Sequence, residues 1–256
     1  MSEKEGHGGG FFSWYSLVKA SIRKAIINRK FWMVILMSLF LSGVMGYAAT
    51  QEPHGLNEGS DFFDLLVISF FLPLINMIFG SSLISDEIED KSITQVLISP
   101  LSRTKLYLGY YISLIIVSII AMWLILTSGF LTYFGIVGLD SEALQLYLNI
   151  GSLVVIGSVV YSSLFIFVSI LLKKSLYFGL FYVFIWEGFV GSLEGKIKLV
   201  SIRHYLRSIG AEIIDHGSIG GYIDASGINS SFRTLSILVI ILIIAGIILF
   251  RKKEFP

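Results

Sequence analysis

The 256-residue sequence contains no cysteine, which excludes disulfides, thiol catalysis and Cys-ligated zinc or iron–sulfur centres. Charge is scarce as well. Only 14% of residues are Asp, Glu, Lys or Arg, against about a quarter in an ordinary soluble domain. No G-x-x-x-x-G-K-[ST] phosphate loop occurs, and Gly195-Lys196 lacks both the upstream glycine and the following Ser or Thr, so no route to nucleotide hydrolysis within this chain is visible. The four histidines, His7, His54, His204 and His216, form no H-E-x-x-H, and there is no G-x-S-x-G, which removes the intramembrane metalloprotease and serine hydrolase readings. No catalytic residue, resident cofactor or metal site is expected. The net charge of +1 gives no reason to expect nucleic acid, because the cations gather beside apolar runs, as they do in membrane topology signals.

Hydrophobic residues make up 55% of the chain, and they fall in runs near the roughly 20 residues that cross a bilayer. Such runs lie near 31–49, 62–84, 106–137, 146–172, 175–193 and 235–250. They predict an all-α integral membrane protein with six transmembrane helices, a single transmembrane domain over 1–256, and no room for a soluble globule. The third and fourth runs are long enough to tilt, to extend past the hydrocarbon, or to break at Gly129 and Gly135. Met1 to Gly10 is acidic and glycine-rich and lacks a basic n-region, so the first span is expected to be retained rather than cleaved as a leader.

Orientation follows from the cations. Lys19, Arg23, Lys24, Arg29 and Lys30 precede span one; Lys91, Arg103 and Lys105 separate spans two and three; Lys173 and Lys174 separate four and five; Arg251, Lys252 and Lys253 follow six. All four groups fall on one side, and Thr50–Ser60 and Gly138–Gln145 carry no Lys or Arg. Both termini are expected in the cytoplasm of a multi-pass plasma-membrane protein. The long segment 194–233 carries Lys196, Lys198, Arg203, Arg207 and Arg233 yet is expected outside, since long loops obey the rule less strictly.

Two segments outside the spans are amphipathic. In 10–30, Phe11, Tyr15, Val18, Ile22 and Ile26 recur at helical spacing with Lys19, Arg23 and Lys30 on another face, which predicts an interfacial helix facing anionic lipid headgroups. In 194–233, Leu199, Ile202, Leu206, Ile209 and Ile213 predict an external helix whose apolar face rests on the membrane or on the protein, followed by a glycine-rich turn at Gly217 to Gly227.

The segment 85–104 sets Asp86, Glu87, Glu89 and Asp90 where a helix N-terminus favours negative charge, then an apolar stripe at Ile93, Val96 and Leu97, then a stop at Pro100. It reads either as a surface-held amphipathic helix or as a solvated loop. The order Ile84, Asp86-Glu87-Ile88-Glu89, Ser92-Ile93, Leu97, Pro100, Ser102-Arg103, with Gly109 opening the next span, resembles the stretch after the second span of ABC-2-type permeases, the membrane subunits of ATP-binding-cassette transporters. Trp186-Glu187-Gly188 and Ser201-Ile202-Arg203-His204-Tyr205-Leu206 are similar to the last part of that family's six-span members, while Lys91 and Tyr110 depart from its pattern.

The resemblance implies a permease subunit, most often an exporter, whose ATP and Mg are bound by a separate ATPase subunit. It also implies a second permease copy or paralogue as dimer partner. The coupling helix over 85–104 would dock into an ATPase groove, with Glu87, Glu89, Ile93, Val96, Leu97 and Arg103 as contacts. The alternative is a secondary transporter or channel without an ATPase, which would carry several buried ionisable groups.

Three carboxylates remain. Glu187 stands in an apolar run and reads either as a gating or translocation group or as a structurally hydrogen-bonded carboxylate near the outer interface. Asp61 and Asp64 begin span two, where water is close, and read as interfacial or as lining an external vestibule. Asn76 and Asn149 read as interhelical hydrogen-bond groups.

Overall fold

A computed structural model describes residues 6–52, 54–89, 101–172, 174–189 and 196–253. Among them no strand occurs, and the elements are α1 Gly6–Ile27, α2 Arg29–Ala49, α3 Leu56–Phe62, α4 Leu72–Glu89, α5 Arg103–Val137, α6 Ser141–Leu171, α7 Ser175–Phe181, α8 Ile202–Ile213, α9 Gly217–Gly220 and α10 Ile228–Lys252. Two π-helical stretches, Phe63–Phe71 and Tyr182–Glu187, continue α3 into α4 and extend α7. The first has a local cause. Pro73 has no N–H and its ring crowds the carbonyl four residues back, and just before it the Leu72 N–H reaches back five residues to the Val67 carbonyl, the wider π pattern.

Among the described residues, five helices are long and apolar enough to cross a membrane: Arg29–Ala49, Leu56–Ser82, Arg103–Val137, Ser141–Leu171 and Ile228–Lys252. The run expected as a span over 175–193 is a shorter apolar helix, Ser175–Glu187. The break considered at Gly129 and Gly135 does not occur, since α5 runs unbroken from Arg103 to Val137. Its start is capped by Ser102, whose side chain accepts from the Lys105 N–H at 3.4 Å. The turn to α6 uses Gly138 at φ 126°, a left-handed conformation that favours glycine. Asp140 then caps α6 by accepting from the Ala143 N–H at 2.7 Å.

The core is formed by α4, α5 and α6, with α2, α7, α8 and α10 packed around them. Gly129 lets α5 approach Leu41 and Met45 of α2, and Gly80 lets α4 approach Phe165 of α6. Asn76 of α4 accepts from the Ser162 hydroxyl of α6 at 2.9 Å, a buried interhelical hydrogen bond. Outward-facing residues are apolar too: Leu36, Leu39 and Phe40 on α2, Phe181 and Phe184 on the short helix, and Ile237, Ile241 and Ile244 on α10 are all exposed. A surface of this kind needs lipid as its solvent.

Side-chain contacts define two ends of the bundle. Trp14 donates to the Lys105 carbonyl at 2.9 Å and Arg103 to the Arg251 carbonyl at 2.8 Å, so α1, the start of α5 and the finish of α10 share one end. At the other, Asn57 accepts from the Gly217 N–H at 3.1 Å, and Asn149 donates to the Ile213 carbonyl at 2.5 Å.

Candidate functional site

Helix α8 lies alongside α6, with Leu206 against Gly157 and Gly210 against Leu153. Gly157 is the seventeenth residue of α6, about 24 Å along it at 1.5 Å per residue. A short amphipathic helix is therefore seated among the spans, with Ile202, Leu206 and Ile209 buried and its cations turned toward neighbouring carboxylates.

Those cations organise the site. Arg207 lies 2.7 Å from the Asp64 carboxylate, and Ser218 donates its hydroxyl to the same carboxylate at 3.3 Å. Asp64 is only 2% exposed. The expectation that it sits in interfacial water is corrected here, because α8 and α9 cover it. Asp61 remains exposed and accepts from the Ser218 N–H at 2.5 Å. Asp64 Oδ1, Arg203 Nε, Arg207 Nε, and the hydroxyls of Ser158 and Tyr161 are buried without a hydrogen-bond partner. Burial and the neighbouring Arg207 lower the pKa of Arg203, while Asp64 and Glu187 counteract them. Two arginines facing two carboxylates leave the group neutral, the condition under which buried charge is tolerated.

Glu187, at the end of the second π-helical stretch, is 1% exposed. It accepts from the Tyr182 hydroxyl at 2.7 Å, the Ser201 hydroxyl at 2.5 Å, the Ile202 N–H at 3.0 Å and the Arg203 N–H at 3.3 Å. Ser201 occupies the N-cap position of α8 but supplies no side-chain cap; its hydroxyl turns to Glu187. The carboxylate thus caps α8 from another helix, where the unpaired N–H groups and the dipole favour negative charge.

Around this core, His204 bonds Tyr222 through Nδ1 at 2.8 Å and Ser226 through Nε2 at 3.0 Å. Lys198 pairs with Asp224, and the Tyr222 ring is faced by Arg207 at 4.8 Å and Lys198 at 5.7 Å. Burial and Lys198 lower the His204 pKa below its ordinary 6.5. No group of three or more His, Cys, Asp and Glu able to hold a metal occurs among the described residues.

At the opposite end, Glu87 and Glu89 lie on the last turn of α4, while Ile93, Val96 and Leu97 fall outside the described residues. Arg103 is the first residue of α5. Its guanidinium donates to the carbonyls of Arg251 at 2.8 Å and Lys253 at 3.1 Å. The sequence points to neither that contact nor the Asp64–Arg207 pair, whose members are remote in the chain.

Multiple lipid-length helices with apolar exteriors define a multi-pass membrane protein. Residues 19–188 match the family described as ABC-2 family transporter protein, and the chain belongs to it: it is a permease component, the membrane part of a transporter rather than its catalytic part. No curated protein matches the chain. The match stops at Gly188, so α8, α9 and α10 lie beyond it.

Proposed function

We propose that this chain is the permease of an ATP-driven exporter in the cytoplasmic membrane, working with a separate ATPase subunit that binds ATP and Mg and with a second permease copy or paralogue. The ATPase docks at 85–104, the end bearing both termini is cytoplasmic, and the path opens outward when the 196–227 unit releases. The single observation carrying the gate reading is that α8, a charged helix, packs deep against α6 and is tied to the Phe63–Phe71 stretch by the buried Asp64–Arg207 pair. A charge pair of this kind is costly to break on one side only, which suits a contact that is either closed or open.

Buried ionisable groups are also the mark of the alternative reading, a secondary transporter or channel. Here they hold one helix in place, and membership of the ABC-2 family favours the ATP-driven reading.

The test uses the cysteine-free background. Ser158→Cys, at a fully buried position next in sequence to Gly157, which Leu206 of α8 meets, is reconstituted with the ATPase in vesicles and treated from the outer face with an impermeant thiol reagent. Labelling should require trapping with ATP and vanadate, and Asp64→Asn should make it independent of nucleotide. Labelling that is the same with and without nucleotide in the parent protein would overturn the gate.

A further inference from the structure

The N-terminal part of α5, from Arg103 to Ser113, is a junction. It follows directly on 85–104, and on one side it holds α1: Trp14 donates to the Lys105 carbonyl, Gly109 lets Trp14 and Leu17 approach, and Ser113 donates to the Val18 carbonyl at 3.4 Å. On the other side it holds the last turns of α10. Tyr107 meets Phe250 with ring centroids 6.0 Å apart, and a side chain at Gly246 would overlap the Tyr107 hydroxyl. Arg103 then closes the end of α10 by donating to the Arg251 and Lys253 carbonyls. Lys253 repeats the device on the next helix: its ammonium donates to the Ile170 carbonyl in the last turn of α6 at 2.5 Å.

Each helix end presents carbonyls with no partner in their own helix, and a cation there satisfies them and complements the dipole. In α10 and α6 those cations come from outside the helix body that they cap. Arg103 belongs to α5 and Lys253 lies just past α10. The three helix ends are therefore joined in series, start of α5 to end of α10 to end of α6. The second of those helices leads back to the outer unit and the third carries Gly157 and Tyr161 beside α8.

We propose that Arg103 and Lys253 form a strap that carries movement of the ATPase-facing segment to the inner ends of α10 and α6, and thereby to the outer gate. Both are positioning residues in coupling. The inference rests on the proposed docking of an ATPase at 85–104, and it separates binding of the ATPase from transmission of its motion.

The experiment uses the permease co-expressed and co-purified with its ATPase, carrying spin labels on cysteines at the exposed Ile27 and Leu171, at the inner ends of α1 and α6. The label separation is measured without nucleotide and after trapping with ATP and vanadate. In the parent the distance should shift on trapping. Lys253→Met should stay folded and retain the ATPase within about twofold yet lose most of the shift, and Arg103→Gln should lose most of it in the fraction that still carries the ATPase. Arg103→Lys keeps a cation able to reach one carbonyl and should retain part of the shift. A purely structural cap would lower the melting temperature and leave the shift intact in the surviving protein.

Parent-like shifts in both Arg103→Gln and Lys253→Met overturn the strap. So does loss of the ATPase from Lys253→Met, which would make the end of α10 a docking contact. Leu97→Asp is the control for the reading beneath: it should lose the ATPase. If Leu97→Asp retains both ATPase and shift, docking at 85–104 is wrong and the strap falls with it; if the parent shows no shift, the strap falls alone.

Discussion

The Arg207 guanidinium stands 2.7 Å from the Asp64 carboxylate, and the two side chains are 19% and 3% exposed. A pair this enclosed is maintained by mutual charge, and removing one partner strands the other in a medium of low polarity. Asp64→Asn or Arg207→Gln alone should each destabilise the protein by about 3–5 kcal/mol. Replacing both, as Asp64→Leu with Arg207→Met, should cost less than either single change, because no charge is left unpaired. Thermal unfolding in detergent checks the order. A double variant weaker than both singles would show that the pair does more than balance its own charges.

Glu187 offers two oxygens to four donors. Glutamine in its place keeps one acceptor and adds a donor, so at least one buried N–H or O–H loses its partner, at about 1–3 kcal/mol. We expect Glu187→Gln to lower the melting temperature and to raise amide hydrogen exchange at Ile202 and Arg203 above the rest of α8. Unchanged exchange at those two amides would contradict the capping role.

The periodic features of this chain were legible before its structure, because helix and span length are set locally. The amphipathy of Ile202, Leu206, Ile209 and Ile213 predicted α8, and the long apolar runs predicted the five long helices. What α8 packs on was not legible. Periodicity says which face is apolar but not whether lipid or protein covers it, so Asp64 read as water-facing until α8 was found over it. Glu187 was singled out because a carboxylate in an apolar run is costly, yet three of its four donors lie at Ser201, Ile202 and Arg203, fourteen to sixteen residues on. Arg103 read as a contact for another protein, and the α10 carbonyls that it caps carry no sequence signal at all.

His204 sets a pH dependence. Its ring is held by Tyr222 and Ser226 and is faced by Lys198, Arg207 and Asp224, and burial lowers its pKa below the ordinary 6.5. Between the lowered folded value and 6.5 the unfolded chain binds the proton and the folded one does not, so stability rises with pH across that window. Stability contributed by neutral His204 is thus complete above 6.5 and declines as the pH falls below it. Melting curves at pH 7.5 and 5.5 should differ more for the parent than for His204→Gln, which cannot titrate. Equal differences would assign the acid sensitivity to other groups.

The last prediction concerns how often the chain crosses the membrane. Arg103 touches the carbonyls of Arg251 and Lys253, and Lys253 touches that of Ile170, so α6 and α10 finish at the same end as α5 begins. Helix α10 starts at the opposite end, where Ser226 donates its N–H to the Ser208 hydroxyl and Ile213 meets Asn149. The residues between Leu171 and Ile228 must therefore carry the chain from one end to the other. Ser175–Glu187 is the apolar helix available to do so. At 13 residues and about 1.5 Å per residue it spans roughly 20 Å, short of a hydrocarbon core of about 30 Å. The rest of the distance has to be made up between Glu187 and the start of α10, and irregular backbone is tolerated in a membrane only against protein or water. Single cysteines at Gln51, Glu142 and Asp224 should react with an impermeant reagent from outside intact cells, and those at Lys24 and Lys252 should react only after the membrane is opened. If Lys252→Cys is labelled from outside and Asp224→Cys only after the membrane is opened, the chain crosses five times and the short helix turns back.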